Sequence, residues 1–172
     1  YLEALQWVVD RNDIMRTIFL WEGLPDPAQV VCRQAPLIVE ELKLDAADGD
    51  IAQQLSARIN LLNYRINLSM PPMIRIFIAY DASNDSWVYH QLTHHLMDDQ
   101  ATVNMQEDEI QAYLQGRADQ LPASQPFRNY VAQTRLGVSS EEHEAFFRDM
   151  LADVDEPTAP YGLTDVLGNG SS

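Results

Sequence analysis

Residues 90–100 read HQLTHHLMDDQ. The stretch closes SWVYHQLTHH (86–95), rich in β-branched and aromatic residues and free of breakers, so it predicts a strand ending on the adjacent pair His94 and His95. It opens DDQATVNMQEDEIQAYLQGR (98–117), where early acids, apolar Val103, Ile110 and Leu114, and a late Gly116 predict a helix whose positive end lies at Asp98 and Asp99. A strand thus hands over to a helix through two adjacent histidines. On extended backbone His90 and His94 share a face and His95 points the other way. The pair therefore cannot easily share one metal. A metal would need His95 with Asp98 or Asp99 and further ligands, and no HExxH spacing is present, so no metal site is expected. A single imidazole, with an ordinary pKa of ~6.5, can instead exchange a proton near neutrality. The plainer reading packs both histidines at a strand end and makes Asp98 a helix N-terminal acid; the residues alone leave both readings open.

Outward from this junction, MPPMIRIFIAYD (70–81) starts on prolines and alternates Ile74, Ile76 and Ile78 with Arg75, Phe77 and Ala79, predicting a strand that pairs with 86–95 across the turn DASND (81–85). Before it, DAADGD (45–50) supplies capping residues, and IAQQLSARINLLNY (51–64) repeats Ile51, Leu55, Ile59 and Leu62 on one helical face. At the start, Leu2, Leu5, Val8 and Val9 predict a helix stopped at Asn12 and Asp13. MRTIFLW (15–21) and AQVVCRQ (28–34) flank the turn GLPDP as antiparallel strands, with LIVEELKL (37–44) a third strand in the same patch. Downstream of the proline-bearing connector ADQLPASQP (118–126), FRNYVAQTRLG (127–137) and SSEEHEAFFRDMLADV (139–154) predict two short packing helices, the second with Ser139 and Glu142 as a capping box. DEPTAPYGLTDVLGNGSS (155–172) has no regular period and reads as a linker or loop.

The 172 residues suffice for one domain or lobe with a real core. A net charge of −15 repels phosphate backbones and anionic lipid, which excludes nucleic acid and membrane surfaces as partners. No apolar run approaches the ~20 residues of a membrane span. YLEALQWVVDRND lacks the basic start and cleavage site of a signal peptide. Cys32 is the sole cysteine, so no intrachain disulfide can form, which fits a reducing compartment; a cytoplasmic location is expected.

Three motifs in order carry a family resemblance. HHLMDDQ (94–100) resembles HHxxxDG; RNDIMRTIF (11–19) resembles RHxxLRTxF, with Asn12 for histidine and Met15 for leucine; FRNYVAQTR (127–135) resembles YxDFAxWQ, with Asn129 for aspartate and Gln133 for tryptophan. YRINLSMPPMIRIFIAY (64–80) is also similar to the segment that precedes the histidine strand in the same family. These are the motifs of condensation domains of non-ribosomal peptide synthetases, members of the chloramphenicol acetyltransferase-like superfamily. The resemblance implies an α/β fold in which two lobes meet in a V at the histidine motif, with a mixed or antiparallel sheet flanked by helices. This chain resembles the N-terminal lobe over residues 1–154, with 155–172 as an interlobe linker or the start of a C-terminal lobe.

Carried over position by position, the resemblance implies that His95 is catalytic and His94 structural, and that Asp99 holds the loop through an ion pair for which Arg16 is the candidate partner. Gln100 replaces the motif glycine, where a side chain can crowd backbone that approaches substrate. The implied reaction is amide formation. An aminoacyl amine attacks an acyl or peptidyl thioester, each delivered on the phosphopantetheine arm of a peptidyl carrier protein, with no bound cofactor or metal. The piece alone is expected to be inactive without its C-terminal lobe. Other readings are an acyl-CoA-dependent O-acyltransferase or an epimerisation domain of the same superfamily, and a non-catalytic lobe that docks a carrier or is a degenerate remnant.

Overall fold

The computed structural model describes residues 1–59, 64–156 and 159. The chain divides into two compact units, Tyr1–Phe127 and Arg128–Ser172.

In the first unit, α1 (Leu2–Arg11) forms because Ala4, Leu5, Val8 and Val9 fall on one buried stripe. It stops at Asn12, which adopts extended backbone. A 3₁₀ turn over Asp13–Arg16 follows, so the expected strand starts only at Thr17, whose hydroxyl donates to the Asp13 carbonyl (2.8 Å). Strands β1 (Thr17–Leu20) and β2 (Ala28–Val31) pair antiparallel, Thr17 opposite Val31. Strand β3 (Val39–Glu41) does not extend that pair. It lies parallel to β4 (Ile74–Asp81), Val39 opposite Ile76, in a separate sheet of order β3-β4-β5 completed by β5 (Ser86–Thr93). A parallel neighbour needs a crossover. Here α2 (Ile51–Arg58) lies between β3 and β4 in sequence, its first turn capped by the Asp50 carboxylate accepting from Gln53 N (2.8 Å). The Leu62 anticipated on its apolar face lies outside the described residues.

The alternation of β4 serves two cores. Ile74 and Ile76 pack with α1, Met73, Met97 and Ile110, while Phe77 and Ala79 pack with Ile51 and Leu55 of α2. The mixed sheet is thus covered by helices on both faces, the fold class expected. Ile76 is 1% exposed. Trimming one methyl group from it, Ile76→Val, is expected to lower stability by about 1 kcal/mol; an unchanged urea midpoint would contradict this two-sided burial.

Antiparallel pairing of β4 with β5 runs from Asp81 opposite Ser86 to Ile74 opposite Thr93. One further bond, His94 N to the Met73 carbonyl (3.2 Å), fixes the chain just past the ladder. After the turn 95–97 and the two residues Asp98 and Asp99 comes α3 (Gln100–Leu114), whose Ile110 joins the core shared with α1.

The second unit contains α4 (Phe127–Leu136) and α5 (Ser140–Met150). The anticipated capping box is present: Ser139 Oγ accepts from Glu142 N (3.2 Å) and Glu142 Oε2 accepts from Ser139 N (3.0 Å). These bonds hold the Glu142 carboxyl below the ordinary carboxylate range. Neither helix contains a buried residue.

Candidate active site

Strand β5 ends at Thr93, two residues earlier than the sequence suggests, so His94 and His95 sit in a turn and strand alternation does not set their directions. The turn is closed by Met97 N donating to the His94 carbonyl (2.9 Å) and anchored by the buried Met97 side chain. Within it the two imidazoles are held in opposite ways. His94 Nδ1 accepts the Leu96 amide (3.1 Å), which requires that nitrogen to be unprotonated. His95 Nδ1 faces the Asp98 carbonyl (3.2 Å), and a carbonyl only accepts, so His95 Nδ1 carries the proton. The His95 side chain is 92% exposed. It therefore presents an Nε2 lone pair to solvent, whereas His94 is tied into the backbone of its own turn.

Asp99 is the N-cap of α3. Its Oδ1 accepts from Thr102 N (2.8 Å) and Thr102 Oγ1 (3.0 Å), and these bonds lower its pKa. The ion pair expected between Asp99 and Arg16 is not formed. Arg16 donates Nη1 to the Cys32 carbonyl, and its buried Nε has no partner among the described residues. The local hydrogen bonds of the cap occupy Asp99 in place of a distant cation. Because its folded pKa lies below the unfolded value, the cap stabilises the fold above the unfolded carboxylate pKa of ~3.9 and is lost as pH falls through the folded value. Asp99→Ala should accordingly lower the melting temperature at neutral pH, with the deficit shrinking in strong acid. A deficit independent of pH would contradict the capping role.

Gln100 opens α3 and donates Nε2 to Asn104 Oδ1 (2.9 Å) on the exposed side. Among the described residues Asp85 is the only non-glycine with positive φ, so this position needs no glycine for its backbone.

The cation of the upstream motif that reaches α3 is Arg11. Its Nε bonds Glu109 Oε1 (2.8 Å) and its Nη2 bonds the Pro122 carbonyl (2.5 Å). Asn12, standing at the motif histidine, donates Nδ2 to Glu109 Oε2 (2.7 Å) and accepts from Ser124 Oγ (2.8 Å) on Oδ1. Sequence reasoning missed Glu109, because it sits in the run Glu107, Asp108, Glu109, and only the fold distinguishes the buried member from its exposed neighbours.

Beside His94, a groove of about 470 Å³ is lined among the described residues by Tyr64, Arg65, Ile66, Leu68, Leu92 and Thr93. Among the described residues no cluster of His, Cys, Asp or Glu could hold a metal ion, and no helix is long and apolar enough to cross a membrane.

The family model for the condensation domain matches residues 2–159. The chain belongs to the condensation-domain family. It is 50% identical over 171 residues to malpibaldin synthetase of Mortierella alpina, covering 99% of this chain and 3% of that protein. It is 34% identical over 169 residues to a component of the linear gramicidin synthase of Brevibacillus parabrevis, covering 93% and 3%. The starter condensation domain of rhizomide synthetase superposes with a TM-score of 0.65 at 17% identity, covering 91% of this chain and 39% of that one. This condensation-domain segment thus spans about 3% of the length of these two curated relatives. The chain shares the fold of the rhizomide synthetase condensation domain.

Proposed function

We propose that the segment supplies the histidine lobe of a condensation domain that forms amide bonds between carrier-bound substrates. The observation that carries this reading is His95, whose protonated Nδ1 is engaged by a backbone carbonyl while Nε2 is left open to solvent. An imidazole held this way accepts a proton from, or orients, an incoming amine. In the step proposed, the amine nitrogen of an aminoacyl group attacks the thioester carbonyl carbon, the N–C bond forms and the C–S bond breaks. His95 Nε2 takes the amine proton, which passes to the departing thiolate. His94, Asp99 and Met97 fix the turn that presents it.

Both substrates arrive on phosphopantetheine arms of peptidyl carrier proteins, and a C-terminal lobe completes the channel around His95. No metal or further cofactor takes part. Residues 1–154 are assigned to the N-terminal lobe; 155–172, assigned to an interlobe linker or the start of a C-terminal lobe, lie mostly outside the described residues. The names of the relatives, a gramicidin synthase among them, support this assignment, and the single cysteine supports a cytoplasmic setting. The test uses a complete condensation domain containing this segment, a donor carrier loaded with an acyl thioester and an acceptor carrier loaded with an aminoacyl thioester. Intact-protein mass should show the acyl group transferred to the acceptor's amine. Hydrolysis of the donor alone, or no transfer, would refute the assignment.

A further inference from the structure

Asp98, at an unspecified position of the motif, is the residue at this site whose burial packing does not explain. It directly precedes the N-cap of α3, the position where an apolar residue ordinarily staples against the fourth helical residue, here Val103. A carboxylate occupies it instead, its side chain 2% exposed and its Oδ2 without a hydrogen-bond partner among the described residues. Burying such a group unpaired is costly, and unsatisfied polar groups of this kind concentrate where function needs them. What the carboxylate does face is His95: Oδ1 lies 3.8 Å from Nδ1, on the same side as the Asp98 carbonyl at 3.2 Å.

From this, the geometry points to Asp98, and not the motif carboxylate Asp99, as the positioning residue for His95. The inference rests on the reading of His95 given above. Asp98 offers two acceptors to one ring nitrogen: a backbone carbonyl that bonds it, and a buried anion that favours a proton there and opposes ring rotation. Nε2 is thereby kept as the unprotonated nitrogen that meets the amine. Positive charge gained by the ring during proton transfer also develops beside a fixed negative charge. Asp99, with its Oδ1 committed to Thr102, has its own task in starting α3.

The test is ring-nitrogen NMR on the full chain with ¹⁵N-labelled histidine, at about pH 9, well above the ordinary imidazole pKa. In the native chain His95 should carry its proton on Nδ1 and His94 on Nε2, so the neighbour is an internal control of opposite sense. In Asp98→Asn the His95 ratio of Nδ1–H to Nε2–H should fall roughly fivefold or more, the effect of one charge at this distance even when screened as in water, with His94 unchanged. If the amide variant fails to fold, Asp98→Leu, which restores an apolar staple with Val103, carries the same expectation. A native His95 protonated on Nε2, or a ratio unchanged by removing the carboxylate, overturns the inference. Failure of the catalytic reading looks different: full amide formation by His95→Ala in a complete condensation domain, with the tautomer result standing.

Discussion

Glu109→Ala should destabilise the fold by about 3 kcal/mol, the cost typical of removing one member of a buried ion pair. Glu109 is 7% exposed and satisfies two donors from the end of α1, Arg11 and Asn12. Without it the Arg11 side chain, itself only 18% exposed, keeps the Pro122 carbonyl and the face of Trp7 at 5.2 Å but loses its counter-charge. The Asn12 amide loses the shorter of its two acceptors, keeping the Val8 carbonyl. Glu109→Gln keeps one acceptor oxygen and should cost less. Urea unfolding of the two variants measures the difference, and a midpoint unchanged by Glu109→Ala would contradict the network. The network bears on function because α3 is the helix that Asp99 caps and whose start follows the histidine turn.

His95→Ala in a complete condensation domain should slow amide formation by roughly 10²- to 10⁴-fold, the range a positioned acid–base group contributes. It should leave the melting temperature in place, since the side chain is 92% exposed and its one hydrogen bond is to a neighbouring carbonyl. His94→Ala should do the reverse in kind: the Leu96 amide loses its acceptor and the turn loosens, so stability falls. Single-turnover rates paired with thermal unfolding separate the two histidines. A His95 variant that melts early and a His94 variant that does not would reverse the roles assigned here.

The sequence revealed what depends on near neighbours. The hairpin of β4 and β5, the capping of α2 from the 45–50 segment, and the Ser139–Glu142 box are short-range patterns with local physical causes. The family was legible because three motifs stand in the expected order. What escaped was long-range. The parallel partnership of β3 with β4 joins segments separated by α2, and nothing in the three-residue strand Val39–Glu41 distinguishes it from a neighbour of β2. The pairing of Arg11 with Glu109 spans 98 positions. Choosing between Arg11 and Arg16 as the arginine that meets an acid requires knowing that the 3₁₀ turn at Asp13–Arg16 leads Arg16 to Cys32. Asp98 and Asp99 are adjacent and identical in type, yet one is buried against His95 and the other exposed at the cap. The helix N-terminus at Gln100 makes that distinction; a start one residue earlier would make Asp98 the cap.

The most direct measurement is single-turnover condensation with both carriers loaded, run on the 172-residue chain and on a complete condensation domain that contains it. The complete domain should convert the aminoacyl acceptor to amide product and the chain alone should not, as expected if His95 supplies the proton-accepting group and a second lobe the other wall of the channel. Equal product from both would show that no second lobe is needed, and product from neither would contradict the catalytic assignment of this site.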